Sequence, residues 1–113
     1  MEKELGIRTF QQFIHAKDHD PEQKEHYFYK LIEEIGELSE VIRKNHRLQA
    51  EESIKGTIEE ELHDILYYTL ALANVYEIDM EACCFLKDEI NARKYQTKTL
   101  EHFIAERPKS LTT

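Results

Sequence analysis

The chain predicts an all-α antiparallel bundle, on three observations. Its 113 residues contain only 3 Gly and 2 Pro, too few of the residues that shape the turns of hairpins and sandwiches. Apolar residues recur near the 3.6-residue period along most of the length. The stretches between these periodic segments are short, as between neighbouring helices of a bundle. One domain covering 1–113 is expected at this length. A compact chain of this size exposes roughly 6,500 Å² of the roughly 20,000 Å² available when unfolded, enough for one modest core.

Leu5, Ile7, Phe10, Phe13 and Ile14 predict a first amphipathic helix over about 5–19. Asp20-Pro21 then offers a cap and a first helical position for a second helix. That helix runs to about 46 and carries a stripe of Tyr27, Phe28, Leu31, Ile32, Ile35, Leu38, Val41 and Ile42. Gly36 within it costs ~1 kcal/mol relative to Ala, as a tolerated substitution or as a place where a helix or ligand comes near the backbone. Residues 47–56 lack a period and form the main connection. Thr57 and Glu60 make a capping box for a third helix to about 76, with Ile58, Leu62, Ile65, Leu66, Thr69, Leu70 and Ala73 inward. Tyr67, Tyr68, Ala71, Leu72 and Val75 widen its apolar surface beyond one stripe, which calls for partners on several sides and a bundle completed by oligomerisation. Asp79 caps a fourth helix carrying Met80, Cys83, Leu86, Ile90 and Tyr95. A short terminal helix with Leu100, Phe103 and Ile104 as apolar contacts follows Thr99 and ends before Pro108.

Acids outnumber bases 23 to 15, for a formal charge of −8, which argues against a nucleic-acid polymer or an anionic membrane as partner. The longest apolar stretch, 65–75, is far shorter than the ~20 residues of a membrane span, and no apolar signal run opens the sequence. Cys83 and Cys84 are adjacent, too close for an ordinary disulfide, and read as small side chains near the core in a reducing compartment. A cytoplasmic protein is expected.

The acids are not evenly spread. The second helix contains Glu33-Glu34-Ile35-Gly36-Glu37 and the third Glu59-Glu60-Glu61-Leu62-His63-Asp64. Glu34 and Glu37 are three apart, as are Glu61 and Asp64, so each pair shares a helical face. Glu34 sits between Leu31 and Ile35, and Glu61 between Ile58 and Ile65, at the border of the inward stripe. Carboxylates converging there repel one another and lose hydration, an arrangement that makes sense when a cation neutralises them. Oxygen ligands select Mg²⁺ or Mn²⁺. A solvated acidic face is the competing account, since Glu is a good helix former. Glu60 and His63 form one Glu-x-x-His step of the kind that di-iron bundles use twice; no second step exists, so His63 reads as a surface residue or a neighbour of the ligands.

The ordered set Glu33-Glu34-x-x-Glu37-Leu38, spacer, Glu61-x-x-Asp64-Ile65-Leu66, followed by Lys87, Asn91, Arg93, Lys94 and Tyr95, resembles the MazG-like all-α nucleoside triphosphate pyrophosphohydrolases over roughly 20–96. The resemblance implies a homodimer or dimer of dimers that cleaves a nucleoside or deoxynucleoside triphosphate between its α and β phosphates. It implies Glu34, Glu37, Glu61 and Asp64 as metal ligands, with Glu33 orienting water. It further implies that Lys87, Asn91, Arg93 and Lys94 approach the phosphates. Gln96 departs from the Tyr-Pro ending common in that region.

The chemistry has its own logic. A triphosphate approaches a carboxylate cluster only when divalent ions invert the local potential. Water is the expected nucleophile, because neither cysteine has an activating His and no Gly-rich phosphate loop exists. Without Trp, base contacts fall to residues such as Phe13, His26 and Tyr68. The rival function is a noncatalytic helical module that forms an acidic-faced homo-oligomer.

Overall fold

The computed structural model describes residues 3–107. Five α-helices make it up: α1 (Ile7–Lys17), α2 (Lys24–Arg43), α3 (Ile58–Val75), α4 (Met80–Tyr95) and α5 (Leu100–Glu106). No strand occurs among the described residues, so the predicted all-α class holds. Pro108, the expected stop of the last helix, lies outside them.

The principal packing is between α2 and α3. They run antiparallel: the His46 carbonyl, just past α2, accepts from the Ile58 N–H that opens α3, and Tyr27 near the other end of α2 shares the core with Leu70. On this hairpin lies α1, whose Ile14 is fully buried and whose Phe10 packs beside Tyr67. A buried polar clamp that periodicity does not reveal holds α1 to the α3–α4 turn. Gln11 donates from Nε2 to Asn74 Oδ1 (3.0 Å) and the Ile78 carbonyl (2.6 Å), while its Oε1 accepts from the Met80 N–H (3.1 Å). The Arg8 guanidinium adds ion pairs to Asp79 (2.8 Å) and Glu81 (2.9 Å), exposed and screened by water, so they orient the turn more than they stabilise it.

Helix ends explain where the predicted boundaries fail. Asp20 does not cap α2. Its Oδ1 accepts from the Glu22 N–H and its carbonyl from the Gln23 N–H, so Asp20 to Gln23 is a turn with Pro21 at the position that favours it, and α2 starts at Lys24. At the other end α2 stops at Arg43, short of 46, because Asn45 turns left-handed (φ 53°). His46 N–H then reaches the Val41 carbonyl and Asn45 N–H the Ile42 carbonyl, the paired bonds of a Schellman cap. The Thr57–Glu60 box forms with a one-residue offset: Thr57 accepts from Glu60 N–H, while Glu60 Oε1 accepts from Gly56 N–H (2.8 Å). Asp79 and Thr99 cap α4 and α5 by accepting from Ala82 and His102 N–H groups.

The core is thin. Ile14, Tyr27, Leu70 and Ala71 form its buried cluster, with Phe10, Tyr67, Tyr68, Leu72, Val75 and Met80 packed around it. Several residues expected inside are exposed: Leu5, Ile7 and Phe13 on and before α1, Phe28, Ile32, Ile35 and Ile42 on α2, Leu62 and Leu66 on α3. Leu86, Ile90 and Tyr95 on α4, and Phe103 and Ile104 on α5, are bare as well. Total accessible surface is 9142 Å², against the roughly 6,500 Å² of a compact monomer. Among the described residues no other segment approaches Gly36, where an added Cβ would meet nothing outside its own helix backbone within 4 Å.

Gln96 ends α4 in the left-handed region (φ 54°), which proline, fixed near −65°, cannot enter. The departure from Tyr-Pro therefore accompanies a different helix exit here. Glycine occupies such positions without the Cβ penalty, so Gln96→Gly is expected to raise unfolding free energy by about 0.5–1 kcal/mol in denaturant titrations.

Candidate active site

Antiparallel pairing of α2 and α3 brings Glu34 opposite Glu61, with Asp64 one turn along α3. Each of the three offers an oxygen, and these atoms lie within 4.8 Å of one another. Glu61 is 5% exposed. Oε2 of Glu34 and Oε2 of Glu61 are both sealed from solvent and have no hydrogen-bond partner. Burial pushes the Glu34 carboxyl up to about 8, reinforced by the adjoining Glu61 carboxyl and by the charges of Glu37 and Asp64. Burial also raises Glu61, with Glu37 and Asp64 acting in the same direction. Buried acceptors with no donor are costly, and inward-facing oxygens at this spacing fit a hard divalent cation.

Glu37 is exposed and falls outside the tight group of three, although its charge acts on both buried partners. Glu33 is exposed and tied to the Lys30 ammonium at 3.2 Å. The ring of His63 meets Asp64 Oδ1 at 2.9 Å, so this histidine touches the cluster without joining it.

Beside the carboxylates is a cavity of about 230 Å³ lined by Asp18, Glu34, His63, Asp64, Tyr67 and Tyr68. Of the three aromatic candidates for base contact, only Tyr68 is there. Phe13 is exposed with the Lys17 ammonium over its ring (5.2 Å), and His26 is exposed against the edge of Tyr27 (5.8 Å). Asp18 and Tyr67 were not legible as site residues. Their contact spans 49 positions, and no local spacing encodes it.

Lys87 and Asn91 line a separate cleft of about 480 Å³ with Met80, Cys83, Cys84, Asp88 and Leu100. Arg93 and Lys94 are exposed near the end of α4, and the Lys94 ammonium lies over the Tyr95 ring (5.3 Å). The packing of α4 runs to α1 and α5, and its cleft shares no residue with the cavity at the carboxylates. Within one chain the structure therefore does not bring these four residues to the acids.

The fold is all-helical, and two of its paired helices carry a cluster of desolvated carboxylates able to hold a cation. A family model described as the MazG nucleotide pyrophosphohydrolase domain matches residues 22–97, and the chain belongs to that family. It is similar to crystal structures of iMazG from Vibrio DAT 722. An N-tagged form has 46% identity and a TM-score of 0.73, covering 80% of this chain and 98% of that one. A C-tagged form has 46% identity and a TM-score of 0.71, covering 77% and 98%. No curated protein sequence matches. The chain is an enzyme, a nucleoside triphosphate pyrophosphohydrolase.

The raised carboxyl of Glu34 fixes the sign of a pH effect. Its folded-state value of about 8 lies above the ordinary 4.5, so the metal-free protein has a stability contribution that is fully present below pH 4.5. That contribution declines as pH rises and is gone above about 8. Calorimetric melting in chelator should show Tm falling across this window. A divalent cation held by these acids should raise Tm more at the alkaline end, where the carboxylates need no displaced proton; a hundredfold excess over its dissociation constant contributes about 2.7 kcal/mol.

Proposed function

We propose that the protein hydrolyses a nucleoside or deoxynucleoside triphosphate at the α–β phosphate bond, giving monophosphate and pyrophosphate, with Mg²⁺ or Mn²⁺ held by Glu34, Glu61 and Asp64 and by Glu37 from the edge. The observation that carries this reading is the pair of buried, unpartnered Oε2 atoms of Glu34 and Glu61 inside a three-carboxylate cluster, in a chain of the pyrophosphohydrolase family. When bound, the cation neutralises acids and phosphates together and acidifies a water molecule.

The residues divide the remaining work. Glu34 and Glu61 present oxygens that the protein leaves without donors. His63 fixes the orientation of Asp64 through its ring nitrogen. In this reading Glu33, exposed and paired with Lys30, orients the water. Cys83 and Cys84 line the other cleft, which supports water as the nucleophile.

In this reading the phosphate contacts of Lys87, Asn91, Arg93 and Lys94 are made by a second copy of the chain, in a homodimer or dimer of dimers. The bare apolar residues support it: Ile32 and Ile35 next to Glu33 and Glu34, Leu62 next to Glu61, and Leu86 and Ile90 next to Lys87 and Asn91. In this reading α1, which lies outside the matched 22–97, belongs to the same domain, because its Ile14 sits in the core. No helix among the described residues is long and apolar enough to cross a membrane, and the free cysteines fit a reducing cytoplasm.

Incubation with a panel of nucleoside triphosphates and Mg²⁺ should release pyrophosphate and monophosphate in equal amounts. Release of orthophosphate alone would overturn the bond assignment, and no turnover by folded, Mg²⁺-supplied protein would favour the noncatalytic module. Glu61→Gln should lower kcat by more than the about 10–100-fold that loss of an outer partner costs, with oligomer size by light scattering unchanged.

A further inference from the structure

Asp18 follows the last residue of α1 and lines the same cavity as Glu34 and Asp64. It lies outside the 22–97 family match. Both of its carboxylate oxygens are held: Oδ1 accepts from the Tyr27 hydroxyl and Oδ2 from the Tyr67 hydroxyl, each at 3.0 Å. The donors come from α2 and α3, so three segments set the plane of this carboxylate. Tyr27 itself is fixed, being 3% exposed and accepting from the Asp20 N–H. Burial and the neighbouring Asp18 push the Tyr67 hydroxyl up to about 12, so it stays a donor.

Each carboxylate oxygen has capacity for two hydrogen bonds, so Asp18 retains acceptor sites after both phenols are counted. It forms no ion pair among the described residues and is not one of the three acids that converge. It is an oriented, acceptor-only group in a cavity that begins at the proposed metal ligands. Tyr67 and Tyr68, edge to face at 5.2 Å, add aromatic wall. At about 230 Å³ the cavity is smaller than the roughly 300–1,000 Å³ of a site for a drug-sized molecule. It suits one end of a nucleotide.

We infer that Asp18 is a specificity-determining residue whose carboxylate, aimed by Tyr27 and Tyr67, accepts a hydrogen bond from a donor on the nucleoside part of the triphosphate. The donor is a base amino group or a sugar hydroxyl. A carbonyl oxygen in the same place faces the acceptor oxygens of Asp18 and is disfavoured. This rests on the function proposed above and adds what that function selects for.

The test measures kcat/KM with Mg²⁺ for full-length protein and for Asp18→Asn, which keeps the shape and one acceptor oxygen but introduces a donor. Substrate pairs (dCTP against dUTP, dATP against dITP) exchange an amino donor on the base for a carbonyl, and dCTP against its 2′,3′-dideoxy analogue removes the 3′-hydroxyl. The wild type is expected to prefer the donor-bearing member in one arm, and Asp18→Asn to shrink that preference about ten- to hundredfold, chiefly through KM, the range of a hydrogen bond to a charged group. Equal use of both members by the wild type, or an unchanged ratio in Asp18→Asn despite lower activity, would overturn the inference and leave Asp18 as an anchor for the two tyrosines. Should Asp18→Asn fail to fold, Tyr67→Phe releases one Asp18 oxygen and must change the same ratio by severalfold; an unchanged ratio there has the same force. If the wild type cleaves no triphosphate, the proposed function itself fails and this inference falls with it, an outcome distinct from turnover without discrimination.

Discussion

Glu34 and Glu61 face one another across the α2–α3 pairing with Asp64 a turn away, and the apolar contacts of that helical hairpin must offset the cost of holding them there. Like charges in a desolvated site favour a shared proton or a bound cation over ionised, unpaired acids. The ends of the hairpin are accordingly firm. A Schellman cap closes α2 at Asn45, Thr57 and Glu60 cap α3, and the His46 carbonyl bonds directly to the first N–H of α3. With those ends fixed, the register that places position 34 opposite 61 is fixed as well.

The rest of the molecule is arranged around this pairing. α1 lies across it through Ile14 and Phe10, and the Gln11–Asn74 clamp turns the chain out of α3 into α4. Asp18 follows at the end of α1, where the two tyrosine hydroxyls reach it. A core this small cannot cover the hairpin's outer apolar residues, and Ile35 remains 51% exposed beside the acids. Bare aliphatic surface of this extent is unusual for a monomer, and it flanks the carboxylates on one side and the α4 cations on the other. A second copy covering it would also close the electrostatic gap between acids and phosphate-binding side chains.

Much of the fold was legible in the sequence because helices are local objects. Period, Thr57, Asp79 and Thr99 gave the existence of all five helices and three of their starts. The errors fall where two local signals competed. Asp20-Pro21 satisfies the rules for a helix cap and for a tight turn alike, and the backbone chose the turn because Asp20 bonds to the N–H groups of Glu22 and Gln23. The end of α2 was missed because Asn45, not Gly, takes the left-handed turn. Inward-facing assignments failed more often, since an apolar stripe shows that a helix has a partner and not whether the partner is the same chain.

By itself, the sequence determined the helical class, the pairs Glu34/Glu37 and Glu61/Asp64 on their own helices, and the surplus of acid that marks the site. Those properties depend on spacings of three or four residues, which helix geometry converts directly into position. Only the tertiary structure decided that Glu34, Glu61 and Asp64 converge while Glu37 stays at the edge, that α4 turns its cations away from them within one chain, and that Asp18 lines the cavity. These depend on register between segments far apart in the chain, and such register is set by packing and by helix ends rather than by any local pattern.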